Sequence, residues 1–223
     1  MPALAAVLWD MDGTLLDSEK LWDIGVRELS VELGGEMTDA TRHALIGAAA
    51  DDALRIIFAG LGLYPDPAGM AEAGEWLHRR VTDLMAGPIP WRPGAQDALA
   101  AVRASGLRTA LVTNTTRALT ELCLDTLGRD HFDITVCGDE VPRGKPAPDP
   151  YLRGADLLGV EPEDCVAVED SPTGSHSAAT AGCAVLVVPC EIPVPERPGL
   201  IFRESLVGLT PADLSAVHAA IRP

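Results

Sequence analysis

Five short apolar, β-prone runs punctuate the chain: Ala5–Trp9, Arg108–Val112, Ile134–Cys137, Cys165–Val168 and Ala184–Val188. None alternates cleanly between apolar and polar positions. Continuous apolar runs of this kind suit strands buried on both faces rather than strands with one wet side. Between them lie helical patterns over Pro93–Gly106, Thr116–Gly128, Asp149–Val160 and Ser171–Gly182. Several open on proline or aspartate and close on glycine, as helices start and stop. Short strands alternating with such helices predict an α/β fold, a doubly wound parallel sheet covered on both faces.

Residues 17–87 break that rhythm. They hold no convincing strand and read as helices over Ser18–Gly34, Thr38–Gly47, Asp51–Gly62 and Asp66–Gly87. The stretch Gly87–Gly94, GPIPWRPG, then returns the chain to the α/β pattern. The pattern predicts a core formed by residues 1–16 and 88–223, with residues 17–87 as an all-helical subdomain inserted after the first strand. Asp17 and Ser18 are placed to cap its first helix. The Pro-rich stretch Cys190–Gly199 reads as a surface connection before a last helix over Thr210–Ile221.

Composition narrows the function. The 223 residues are 47% hydrophobic, enough for one sizeable core, with no apolar run long enough to cross a membrane. The N-terminal MPALAAVLWD lacks the basic start of a secretory signal, so a cytoplasmic location is expected. Five scattered cysteines without a C-x-x-C pair read as buried, reduced thiols. The formal net charge of -16 disfavours nucleic acid as a partner. It also means that an anionic substrate needs a local cation or a helix N-terminus. Nothing in the chain fixes oligomeric state; a monomer is the default.

In an open parallel sheet, ligands bind beyond the carboxyl ends of the strands. The first strand runs into Asp10-Met11-Asp12-Gly13-Thr14, the second into Thr113-Asn114-Thr115, and the fourth into Glu169-Asp170-Ser171. The third leads to a loop holding Lys145. Acids, hydroxyls and one lysine therefore share one edge of the sheet. Two carboxylates about 4 Å apart repel by about 4 kcal/mol at an effective dielectric of 20. Such a cluster calls for a cation. Taken alone, Asp-Gly after a strand is a common turn, Thr113 and Asn114 suit a helix cap, and Ser171 suits an N-cap better than catalysis.

These four pieces, in this order, resemble the signature motifs of the haloacid dehalogenase superfamily: D-x-D-G-T at Asp10–Thr14, Thr113 after a strand, G-K-P at Gly144–Pro146 and E-D-S-x-x-G at Glu169–Gly174. The resemblance covers nearly the whole chain, with residues 17–87 standing where that family carries a helical cap. It implies a Rossmann-like core and a Mg²⁺-dependent phosphatase of small phosphate monoesters, such as sugar phosphates, acting through an aspartyl-phosphate. Asp10 is then the nucleophile, and Asp12 the acid to the leaving oxygen and base to water. Thr113, Asn114 and Lys145 bind the phosphoryl group. Asp10, Asp170, Glu169 and the Asp12 carbonyl form the Mg²⁺ site, with Glu169 either a direct ligand or a residue behind the ligands. Asp12 favours phosphate esters over halides, whose departure needs no proton.

Other readings stay open. A β-phosphoglucomutase-type phosphomutase shares this core, but Gly47–Asp52 offers no basic residue for a second phosphate before Arg55, and Arg42 just ahead of the loop keeps that reading open. A non-catalytic binding or regulatory module on the same fold is the other alternative. Trp22, Trp76, Trp91, His43, His78 and His176 read as packing or surface residues.

Overall fold

A computed structural model of the chain describes residues 3–45, 48 and 50–221. Six strands form one parallel sheet: β1 (Ala6–Trp9), β2 (Arg108–Val112), β3 (Ile134–Val136), β4 (Cys165–Glu169), β5 (Ala184–Val187) and β6 (Leu200–Phe202). Their order is β3-β2-β1-β4-β5-β6. Five were legible as apolar runs. The sequence pattern missed β6, a three-residue strand at the sheet edge that follows the Pro-rich connection and is only half-buried.

Alternate residues of the strands face opposite layers, and both layers are apolar. Ala6, Leu8, Ala110, Val112 and Ala167 meet α7 (Asp149–Leu158) and α8 (Pro172–Ala181). Val7, Trp9, Leu111, Val166 and Val168 lie in the cluster that also holds the buried faces of α5 (Ala95–Ser105), α6 (Arg117–Leu127) and α9 (Pro211–Ile221). Each fully buried Leu or Val contributes about 1.5–3 kcal/mol relative to exposure. This two-sided burial explains why the strands read as unbroken apolar runs.

Between β1 and α5 the described residues form four helices: α1 (Glu19–Glu32), α2 (Asp39–Leu45), α3 (Ala50–Gly60) and α4 (Pro67–Met85). α4 packs against α1, α3 and α6. Val26, Leu29, Ile57, Val81 and Met85 join the apolar cluster on one side of the sheet. The outgoing and returning chains run side by side. Asp17 N donates to Pro90 O at 2.8 Å, Arg92 N donates to Leu15 O at 2.9 Å, and Leu16 and Trp91 form an antiparallel bridge. Residues 46, 47 and 49 of the Gly47–Asp52 region and its flank lie outside the described residues. No described helix is long and apolar enough to cross a membrane.

Candidate active site

The strand order turns on β1, with β2 on one side and β4 on the other. The crevice beyond their carboxyl ends is where an open α/β sheet holds a ligand. Asp10 leaves β1 with its N–H still donating to Val168 O at 3.0 Å, so its backbone is fixed by β4. Gly13 then turns with a φ of 81°, and a Cβ there would overlap the Asp170 carboxylate. This turn needs glycine twice over, for the backbone angle and for the space. Gly174 answers a second close approach: a Cβ on it would overlap the Glu169 carboxylate, which sits against the first turn of α8.

Lys145 is the electrostatic centre of the floor. Its Nζ donates to Asp10 Oδ1 at 2.6 Å, to Glu169 Oε1 at 2.7 Å and to Val112 O at 2.8 Å. The side chain is buried and lies 5.0 Å from the Tyr151 ring centroid. Burial alone would strip its proton, yet Asp10 and Glu169 hold its pKa above the ordinary lysine value, so it stays charged. Tyr151 Oη donates to Glu169 Oε1 at 2.5 Å. Burial and the neighbouring Glu169 charge push the tyrosine pKa up, which keeps that donor protonated. The other oxygen of Glu169 accepts from Asp170 N at 3.2 Å and Ser171 Oγ at 3.4 Å. Glu169 is therefore the most committed carboxylate of the floor.

The loop after β2 supplies two kinds of contact. Asn114 clasps the lysine loop: its Nδ2 donates to Lys145 O at 3.1 Å and its Oδ1 accepts from Lys145 N at 2.8 Å. Thr113 Oγ1 donates to Asp12 Oδ2 at 3.2 Å and accepts from Thr115 N at 3.0 Å. Thr115 Oγ1 donates to the same Asp12 oxygen at 2.8 Å, while Ser18 Oγ donates to Asp12 Oδ1 at 2.6 Å. Ser18 does stand at the N-cap of α1, but its hydroxyl makes no cap bond and is given to Asp12 instead. Ser171 caps α8, accepting from Gly174 N at 3.1 Å.

Asp10, Glu169 and Asp170 each bring a carboxylate oxygen within 4.8 Å of the others. Asp10 Oδ2 is buried and has no hydrogen-bond partner. Burial, opposed by Lys145 and reinforced by Glu169 and Asp12, pushes the Asp10 pKa from the ordinary 3.8 to about 7. Burial, then Asp10 and Glu169, lift Asp170 well above the carboxylate range. Three buried acids against one lysine leave a surplus of negative charge. The hard oxygen donors of this cluster fit a small divalent cation such as Mg²⁺.

A cavity of about 140 Å³ rises from this floor, which includes Asp10, Asp12, Thr113, Lys145 and Asp170, into walls supplied by α1–α4. Its apolar wall includes Trp22, Val26, Leu54 and Leu77. Trp22, Trp76 and Trp91 all pack against the core as the sequence pointed to, and Trp22 and His78 also line the cavity. His176 meets Arg197 at the surface. On the wall, Arg42 Nε donates to Asp23 Oδ1 at 2.6 Å, and Nη2 donates to Glu19 Oε2 at 3.3 Å and Glu191 Oε2 at 3.0 Å. Burial, Asp12 and Glu191 raise the Glu19 pKa to about 7 against the pull of Arg42. Thr116, also lining the cavity, carries a buried hydroxyl without a partner.

Sequence reasoning singled out Asp10, Asp12, Thr113, Asn114, Lys145, Glu169 and Asp170, and all converge on this floor. It passed over Tyr151, Thr115 and Glu19. Thr115 carried a signal, since two hydroxyls flanking Asn114 fall on the same side of an extended chain. Tyr151 and Glu19 carried none, because their partners are distant in sequence.

Comparison with known proteins agrees with this geometry. The family model for haloacid dehalogenase-like hydrolases matches residues 4–182. Hexitol phosphatase A of Escherichia coli is 35% identical over 185 residues, 81% of each chain. Protein CbbY of Rhodobacter capsulatus is 33% identical over 196 residues, 84% of this chain and 86% of its own. A crystal structure of a CbbY mutant from Rhodobacter sphaeroides, in complex with xylulose-(1,5)bisphosphate, superposes with a TM-score of 0.84 at 29% identity, covering 95% of this chain and 99% of that one.

Proposed function

The chain belongs to the haloacid dehalogenase-like hydrolase family and is a phosphoric monoester hydrolase, and from that premise we propose that it is a Mg²⁺-dependent phosphatase of small phosphorylated metabolites working through an aspartyl-phosphate on Asp10. The observation that carries the proposal is the buried, unpartnered Oδ2 of Asp10, set on the cavity floor beside Lys145 and Asp170. Names among the relatives support the substrate range: a phosphorylated carbohydrates phosphatase, a hexitol phosphatase and a phosphoglycolate phosphatase.

In this reading, residues 17–87 select the leaving group while residues 1–16 and 88–223 carry out the chemistry. Lys145 fixes Asp10 through Oδ1, which leaves Oδ2 to attack phosphorus in line. Lys145 also balances the charge of the phosphoryl oxygens, and the Thr113 hydroxyl and the N–H groups after β2 bind them. Asp12 delivers a proton to the departing oxygen. It then takes one from the water that cleaves the aspartyl-phosphate. Ser18, Thr113 and Thr115 hold the Asp12 carboxyl in place for both steps. Asp10, Asp170 and the Asp12 carbonyl would hold the cation, which supplies charge neutralisation and polarises the phosphoryl group. Glu169, its oxygens committed to Lys145, Tyr151 and the Asp170–Ser171 turn, acts here mainly by orienting Lys145 and Asp170.

Phosphatase is favoured over phosphomutase because Arg42, just before the wall loop, is committed to three carboxylates and cannot cradle a second phosphate. The direct test is phosphate release from p-nitrophenyl phosphate with Mg²⁺. Turnover is expected from the wild-type protein and none from Asp10→Asn. Equal turnover by both would remove Asp10 from the role of nucleophile.

A further inference from the structure

The floor of the cavity takes a phosphoryl group; its walls must take whatever that group is attached to. Their charges can be counted from the residues described. Lys145 is bound on the floor by Asp10 and Glu169. Arg42 is the other cation among the described lining residues, and its guanidinium faces Glu19, Asp23 and Glu191 together. Glu19 lines the cavity and is buried. Of these three carboxylates Glu19 lines the cavity, while Asp23 and Glu191 hold Arg42 from outside it, so the guanidinium is already over-matched and has no charge to spare for a second anion. Beside His78, Trp22, Val26, Leu54 and Leu77 give the wall an apolar surface, and Thr116 offers an unpartnered hydroxyl.

We propose that this chain selects monoesters whose leaving group is an uncharged alcohol or polyol, and that it discriminates against leaving groups carrying a carboxylate or a second phosphate. The inference rests on the phosphatase reading above and adds to it the chemical class of the substrate. An aliphatic face lies against Trp22 and the leucines, and a hydroxyl pairs with Thr116 or Glu19. A second anion would enter a low-dielectric cleft beside the Glu19 carboxylate, with no free cation to meet it. The two ends of the cavity therefore differ in kind: the floor accepts one anion through Lys145, and the wall repels any other.

The test uses two pairs of esters at pH 8, where imidazoles in water are uncharged, with Mg²⁺ present. Glycerol 3-phosphate and 3-phosphoglycerate are close in size and differ by one carboxylate. A hexitol monophosphate and the corresponding bisphosphate differ by one phosphate. The neutral member of each pair is expected to have a kcat/KM about tenfold or more above its partner, the least that one unscreened like-charge contact brings. The double variant Asp23→Asn, Glu191→Gln releases two anions from Arg42. It is expected to raise the 3-phosphoglycerate to glycerol 3-phosphate ratio by about fivefold or more, which a cavity selecting by size alone would not do. Near-equal kcat/KM within the first pair overturns the inference while leaving the phosphatase reading intact. So does a variant ratio that does not move, provided p-nitrophenyl phosphate is still hydrolysed. Inertness of every ester, p-nitrophenyl phosphate included, overturns both.

Discussion

Replacing Asp10 by asparagine should abolish turnover and, without metal, make the protein more stable. The reason is the cost of holding an ionised Asp10 in a buried site. In the unfolded chain the carboxyl titrates at its ordinary 3.8, and in the folded protein at about 7. Between those values the unfolded chain has given up its proton and the folded one has kept it. Stability therefore falls as pH rises from about 4 to about 7, and stays depressed above that. The full difference corresponds to about 4 kcal/mol. Asn cannot ionise and keeps the shape, while Lys145 retains Glu169 at 2.7 Å and Val112 O at 2.8 Å. Asp170, lifted in part by Asp10, is also relieved, which adds to the gain. With EDTA at pH 8, Asp10→Asn is expected to melt roughly 10 °C above the wild type. At pH 4 the two should melt together. Saturating Mg²⁺ should close part of the gap, because ligand at about 100 times its Kd stabilises the wild type by about 2.7 kcal/mol. A variant no more stable than wild type at pH 8 in EDTA, or one whose advantage is as large at pH 4, would refute the electrostatic account of the site.

Three further outcomes follow from the same contacts. EDTA should remove phosphatase activity and Mg²⁺ should restore it; full activity in a demonstrably metal-free preparation would rule out the proposed cation site. Tyr151→Phe takes a donor from Glu169 Oε1 in a dry interior, and should cost about 1–3 kcal/mol in urea unfolding, with a fall in kcat. An unchanged midpoint would mean that Lys145 alone satisfies that oxygen. Arg42→Met leaves Glu19 buried without its partner, a loss of about 3–5 kcal/mol at pH 8. Because the Glu19 pKa is already raised to about 7 with Arg42 in place, the deficit should shrink at pH 5, where the carboxyl is protonated. A deficit equal at both pH values would mean that packing, not charge, is lost.

The floor was legible in the sequence because each of its acids ends or closely follows a buried strand, and buried parallel strands announce themselves as apolar runs. Asp10, Thr113 and Glu169-Asp170 could be read off as what comes next. Lys145 was legible from its loop before a helix. The roles inside the floor were not. Asn114 was read only as a phosphate ligand, and its side chain also ties the lysine loop to β2 through Lys145 N and O. Ser18 was expected to cap a helix, and its hydroxyl goes to Asp12. Hydroxyls and amides have several partners of similar worth, and packing between distant segments chooses among them. β6 escaped for a different reason: Leu200–Phe202 is apolar, but three residues are too short a run to mark a strand.

The wall shows the stronger limit. Glu19, Arg42 and Glu191 come from α1, α2 and the connection after β5, and nothing in their spacing marks them as neighbours. Yet Arg42, read from sequence as a possible anchor for a second phosphate, changes meaning once its partners are known. A guanidinium shared among three carboxylates is spent. It joins the inserted helices to the connection after β5, and its charge is taken up by Glu19, Asp23 and Glu191. Asp12 makes a second such link, since its carboxyl is held at once by Ser18 at the start of α1 and by Thr113 and Thr115 beyond β2. The residue we propose as the proton carrier is thus fixed by both parts of the chain. A substitution in α1 that moves Ser18 should alter kcat through Asp12 as well as KM through the wall.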